Sequence, residues 1–190
     1  MTSASVTPSP RKTELLEAAY RYILDHGIAD MSLRPLAQAI GSSTRVLLFL
    51  FGTKDGLVRA LLARAREDEL AGILHLDVGG GLGEAVEVLW AWLSTPEHAP
   101  VLRLWVESYG RSLLDAEGPW SGFARESVTD WLRILERAQP GVGAEADAQR
   151  TLALAVLRGA LLDLAATSDR DRLDRAVAAA AARFRADQVA

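Results

Sequence analysis

The sequence predicts an all-α protein of about nine helices, on three observations. Apolar residues recur every three or four positions through nearly the whole chain. No stretch alternates strictly between apolar and polar, as a half-buried strand would. The interruptions are of the kind that end and cap helices: Gly27, Gly41, Gly52, the glycine run 79–83, Gly118-Pro119 and the segment 140–143. The chain has 190 residues and is 49% hydrophobic. That suffices to bury one helical core, or a small headpiece continuous with a larger body.

The elements follow in order. Pro10 opens a first helix to about His26, with Leu15, Leu16, Ala19, Tyr22, Ile23 and His26 as its apolar stripe and Gly27 at its end. Ser32 stands as N-cap of a short second helix carrying Leu33, Leu36, Ala37 and Ile40. Pro35 falls in its first turn, where a missing N–H costs little, and Gly41 ends it. Ser42 and Ser43 offer caps for a third helix, Thr44 to about Leu50, whose Leu47 and Phe51 are spaced to pack back on the second. Gly52-Thr53 breaks the chain. Thr53 or Asp55 then caps a long fourth helix through Leu57, Val58, Leu61, Leu62 and Ala65 to near Leu76. The glycine run 79–83 is a joint; its spacing and the lack of a preceding strand exclude a nucleotide-binding loop. Further helices are expected from Gly83 to Ser94, from Pro96 through Leu113, from Trp120 to Leu135, from about Ala144 to Thr167, and from an Asp169 cap to about Ala186.

The second and third helices, joined by a tight turn and supported by the first, outline a helix-turn-helix, the arrangement that sets a helix into the major groove. The block Leu36-Ala37-Gln38-Ala39-Ile40-Gly41, the run Phe51-Gly52-Thr53-Lys54-Asp55-Gly56-Leu57 and the pattern around Ala19 and Gly27 resemble the TetR family of bacterial transcriptional regulators. The resemblance is specific over roughly residues 12–62; beyond them the chain is similar in length and helical style alone. It implies a homodimer that binds double-stranded operator DNA and releases it when a small-molecule effector enters the C-terminal core. One departure stands out. Members often carry an aromatic-His-His run before the position of Phe51, where this chain has Leu48-Phe49-Leu50, so a phosphate-binding hydroxyl is missing at Leu48.

The DNA-reading groups therefore concentrate at the start of the third helix: Ser42, Ser43, Thr44 and Arg45. That end enters the groove first, and its free N–H groups favour a phosphate. Arg45 suits a guanine edge, and Val46 or Phe49 a thymine methyl. Ser32, Thr53 and Lys54 are candidates for the phosphate backbone, and Arg34 for either role. Net charge is −4, yet residues 1–55 hold six basic against five acidic side chains. A nearly neutral headpiece binds DNA weakly by itself, and dimerisation doubles its contacts.

The domain reading is a disordered tail over 1–9, a helix-turn-helix domain over 10–54, and a ligand-binding and dimerisation domain over 55–190. All five tryptophans fall in the last of these, between Trp90 and Trp131. Small-molecule sites are concave and lined by apolar and aromatic side chains. Trp90, Trp105, Tyr109, Phe123, Trp131 and Leu157 are the candidates for an apolar or aromatic ligand, with Glu107, Ser108, Ser127, Arg158 and Asp163 as polar groups able to orient it. The eighth helix is apolar on nearly all sides, so it is buried on more than one. The alanine-rich ninth permits close approach. Leu154, Leu157, Leu161, Leu164, Val177 and Ala181 are the expected dimer interface, a four-helix isologous contact. It sets two headpieces about 34–36 Å apart on a palindrome. The fourth helix would act as the lever between ligand and DNA.

Other classes fare worse. No cysteine is present, which excludes disulfides, thiol nucleophiles and thiolate metal sites. His26, His75 and His98 lie far apart with no helical ligand spacing, and Ser108 sits inside a helix and not on a strand-turn-helix elbow, so no catalytic residue, metal or cofactor is expected. No apolar run reaches ~18 residues, so no membrane span is expected, and the polar first residues do not read as a signal peptide. A cytoplasmic protein is the expectation. The alternative is a helical protein-interaction module that has lost DNA binding, which the greasy Leu48-Phe49-Leu50 favours.

Overall fold

A computed structural model describes residues 9–115 and 117–187. Among them are nine α-helices and no strand: α1 (Pro10–His26), α2 (Leu33–Ala39), α3 (Thr44–Phe51), α4 (Lys54–Leu74), α5 (Leu82–Leu93), α6 (Ala99–Leu114), α7 (Phe123–Ala138), α8 (Ala144–Thr167) and α9 (Arg170–Asp187). The expected tail lies outside the described residues apart from Ser9, which caps α1 by accepting the Lys12 N–H. None of the described helices is long and apolar enough to cross a membrane.

Caps fall where short polar side chains precede apolar stripes. Ser43, not Ser42, caps α3 by accepting the Val46 N–H, and Thr53, not Asp55, caps α4 through the Gly56 N–H. Asp169 accepts the Arg172 N–H at the head of α9. Gly41 turns the chain between α2 and α3 with a positive φ of 64°. A Cβ disfavours that region. Two boundaries differ from expectation. Pro96 begins a single 3-10 turn, residues Pro96–His98, ahead of α6. The seventh helix starts at Phe123, because Trp120 is folded in a turn that buries its ring in the headpiece core.

Two apolar cores result. The first gathers α1 to α3 around Leu15, Ala19, Tyr20, Ile23, Leu36, Leu47 and Phe51, closed by Leu57, Val58, Leu61, Leu62 and Ala65 of α4. His26, expected in the α1 stripe, is exposed and stacked on Tyr22 at 4.0 Å, and Tyr20 takes the buried place. The second core packs α5, α7, α8 and α9, and its Leu173, Val177, Ala181 and Phe184 come from the last helix. The close α5–α9 approach needs Gly83, where a Cβ would stand 2.6 Å from the Ala181 carbonyl oxygen. The α4 helix belongs to both cores: its first half closes the headpiece, and Ile73 lies in the body.

Candidate nucleic-acid interface and effector cavity

The third helix turns Leu47 and Phe51 inward, which pushes its other apolar residues out. Phe49 is 86% exposed, Leu48 38% and Val46 37%. Beside them Arg45 is exposed, as are Arg34 of α2 and Lys54 at the head of α4. None of these three cations holds an ion pair among the described residues, whereas Arg64, Arg66 and Arg172 are all paired. Unpaired exposed cations around a helix N-terminus form an anion-attracting face. Ser32 is exposed, and its side chain makes no capping bond. Ser43 and Thr53 each use the hydroxyl in a cap, Thr44 is half-buried, and the Ser42 hydroxyl is buried without a partner. Ser42 thus faces the protein and not a groove.

The headpiece is tied to the body at three places. Glu107 of α6 accepts the N–H groups of Ile28 and Ala29, at 3.0 and 2.7 Å, in the loop between α1 and α2. Arg64 of α4 grips Glu17 of α1, while Tyr20 donates to Asp68 at 3.0 Å. Burial and the Asp68 carboxylate push the Tyr20 phenol well above its usual range. On the other side of α4, Arg66 reaches Asp130 and Glu126 of α7.

Between α4, α5, α6, α7 and α8 lies a tight cavity of about 20 Å³, room for little more than one water, lined by Leu93, Leu102, Trp105, Trp131, Leu154, Leu157 and Leu161, with two charged side chains, Glu69 and Arg158. The indole of Trp105 donates to Ser127 at 3.1 Å, fixing the ring. Glu69 accepts a hydrogen bond from Trp131, but burial dominates and pushes its carboxyl up to about 7. Arg158 lies over the Tyr109 ring, 5.1 Å from its centroid, and burial lowers its affinity for a proton.

Of the six expected ligand residues, Trp105, Trp131 and Leu157 line this cavity, and Tyr109 stands behind Arg158. Two are elsewhere. Trp90 points to α9 and donates to Asp174 at 2.6 Å, because α5 packs its aromatic face against that helix. Phe123 is buried in the headpiece core. Glu107 is spent on the α1–α2 loop and Asp163 on Arg172, so neither reaches a ligand here. Glu69 is the residue that sequence reasoning missed. Its signal was present: Glu69 continues the inward stripe Val58, Leu62, Ala65 and Ile73, where a charge is out of place. The neighbouring run Arg66-Glu67-Asp68 masked it as part of a solvated face.

The expected dimer residues also need correction. Leu154, Leu157, Leu161, Val177 and Ala181 are buried inside the protomer and Leu164 half so, because α8 turns that stripe onto α5 and α7 and α9 closes over α5. The opposite stripe of α8 is the exposed one: Ala148, Leu152, Ala155, Gly159, Leu162 and Ala166, with Leu152 56% and Leu162 48% exposed.

Residues 15–61 match the family described as bacterial regulatory proteins, tetR family. The chain is 30% identical over 176 residues to the HTH-type transcriptional repressor AcnR of Corynebacterium diphtheriae, covering 88% of this chain and 87% of that protein. Its fold is similar to that of a transcriptional regulator from Rhodococcus, at a TM-score of 0.76 and 19% identity over 91% of this chain and 95% of the other. It is also similar to the multidrug binding protein EbrR complexed with proflavin, at a TM-score of 0.68 and 21% identity, covering 90% of this chain and 99% of the other.

Proposed function

The chain belongs to the TetR family of bacterial regulatory proteins, and from that membership we propose that it binds a palindromic operator as a homodimer and leaves it when a small molecule fills the cavity beside α4. As a family member it is a DNA-binding transcriptional regulator and not an enzyme. The finer reading rests on one observation above others. A single helix, α4, carries Lys54 at the headpiece end and Glu69 in the cavity wall. At the α-helical rise per residue the two stand about 22 Å apart along the axis. Whatever displaces Glu69 moves the element that closes the headpiece core. A solved relative in fold, EbrR, is described as a multidrug binding protein complexed with proflavin, which supports a ligand in the body.

Residues 10–54, with the first half of α4 packed against them, act as the DNA-binding unit, and the remainder to residue 190 as the effector and dimer unit. Arg45 reads a base edge, Val46 and Phe49 touch thymine methyls, and Ser32, Arg34, Thr53 and Lys54 hold phosphates. For the dimer, the exposed α8 stripe spaced four and three apart has a counterpart on α9 at Ala176, Ala179 and Arg183. Pairing these faces about a two-fold axis buries Leu152 and Leu162, and open space over Gly159 admits close approach. The protein works in the cytoplasm with its operator.

Selection of random duplex DNA by the purified protein, followed by salt titration of enriched sites, tests this. A palindrome with steep salt dependence is expected. No enrichment from a folded dimer would count against the operator reading and favour a protein-interaction role for exposed Leu48 and Phe49.

A further inference from the structure

One residue of the cavity wall, Arg158, has an unspent pair of donors. Arg158 Nε and Nη2 are buried and have no hydrogen-bond partner. Buried guanidinium groups are ordinarily satisfied, and these two N–H groups form one edge of the planar fork that matches the two oxygens of a carboxylate. Glu69 lines the same cavity and feels the Arg158 charge, but takes no hydrogen bond from Nε or Nη2. Tyr109 packs its ring on the guanidinium, 5.1 Å from its centroid, and takes no hydrogen bond from that edge.

A second observation concerns the way in. Leu93 and Leu102 line both this cavity and an outer cleft of roughly 370 Å³, so they form the partition between them. The charged side chains lining the cleft are Arg103 and Arg170, both cationic, with no acid in its wall. Arg170 lies 3.7 Å from Asp174, whereas Arg103 has no ion pair among the described residues. A cleft of one sign of charge with apolar walls concentrates ligands of the opposite sign.

We propose that the effector is an amphipathic organic anion, an apolar or aromatic body bearing one carboxylate whose two oxygens take the Nε and Nη2 donors of Arg158. The proposal rests on the reading of this cavity as the effector site, and it narrows that reading to a chemical class. The body lies against Trp105, Trp131 and the surrounding leucines, in space gained as Leu93 and Leu102 shift and join the tight cavity to the outer cleft. Arg103 at the mouth contributes to capture and not to the bound geometry.

Three probes of one shape decide it: naphthalene-2-carboxylate, its carboxamide and 2-naphthylmethylamine. Each is titrated at pH 7 into the full chain, with tryptophan fluorescence and calorimetry as readouts. The carboxylate is expected to bind tightest, by about tenfold or more, as a charge-assisted pair implies. Arg158→Met should remove that advantage and leave carboxamide affinity within about threefold. It should also raise the thermal midpoint of the unliganded protein, because two unbonded buried N–H groups are gone; an arginine with a purely structural role would lower it. Arg158→Lys keeps the charge without the paired donors and should fall between the two.

Carboxamide or amine binding as tightly as the carboxylate overturns the proposal. So does an undiminished carboxylate affinity in Arg158→Met, or the binding of none of the three. Fluorescence reads occupancy without DNA, so a failure of operator selection leaves this result standing. Operator release by the amine or amide alone would sink the anion class and spare the regulator reading.

Discussion

Replacing Glu69 by Gln should stabilise the protein, and by an amount that depends on pH. The side chain projects from α4 among Trp105, Trp131, Leu154 and Leu157, and desolvation is the largest influence on its carboxyl. Asp130 adds to the effect; the Trp131 hydrogen bond, Arg66 and Arg158 oppose it without cancelling it. The folded carboxyl titrates at about 7 against an ordinary 4.5. Each tenfold change in proton affinity is worth about 1.4 kcal/mol, so ionised Glu69 costs the folded state roughly 3 kcal/mol. The folded pKa lies above the unfolded one. Stability relative to a neutral side chain is therefore fully retained below pH 4.5, declines from there, and reaches its floor as pH passes 7. Gln keeps the acceptor for Trp131 and carries no charge at any pH. The two proteins should match near pH 4.5 and diverge above it. For a chain of this size, Glu69→Gln should lead at pH 8 by roughly 6–12 °C in thermal midpoint. Tryptophan fluorescence during heating, at half-unit steps from pH 4.5 to 8.5, gives the difference curve, in which all other titrations cancel. A difference that stays constant across that range would refute the placement of this carboxyl in an apolar wall.

Other outcomes are as specific. Arg45→Ala should cost ~1–3 kcal/mol at one base position of the operator and relax preference there, while Lys54→Ala should weaken all sequences alike and reduce the salt slope by about 1 per protomer. Selection and salt titration of each variant distinguish the two, and an unchanged preference in Arg45→Ala would remove its base-reading role. Glu107→Ala leaves the Ile28 and Ala29 N–H groups without their acceptor. A loss of about 2 kcal/mol of stability should be visible in denaturant unfolding, and exchange of those two amides should speed up. Leu162→Glu sets a charge on the exposed α8 stripe and should give a folded monomer in sedimentation, with operator affinity lost at low protein concentration; a persisting dimer would move the interface elsewhere.

The local elements were legible because their causes are local. Pro10, Ser43, Thr53, Gly27 and Gly41 act within a few residues, so all nine helices could be located from caps, breakers and period. The third helix was read with its inward pair, Leu47 and Phe51, and its outward Phe49, since a period of 3.6 leaves little choice once one face is buried. The apolar circumference of α8 was also sequence-determined. Which side of it meets the protomer's own core was not, because Leu154 and Leu152 look alike until α5 and α7 take a place beside one of them. The same holds for the tryptophans: composition puts five in the body, but only packing sends Trp90 to Asp174 and Trp105 and Trp131 to the cavity. Charge is harder still. Arg158 stands in the sequence as one of several polar groups of the body, and Glu69 as a charge on an inward stripe beside a charged run. Their consequence comes from desolvation, and desolvation depends on every neighbour that tertiary structure brings within a few ångströms. The sequence by itself determined the helices, their order and the polar, cap-bearing start of α3. Tertiary structure decided which faces are inside, and with them which charged groups, Glu69 and Arg158, are taken out of water, because desolvation depends on every neighbour the fold brings near.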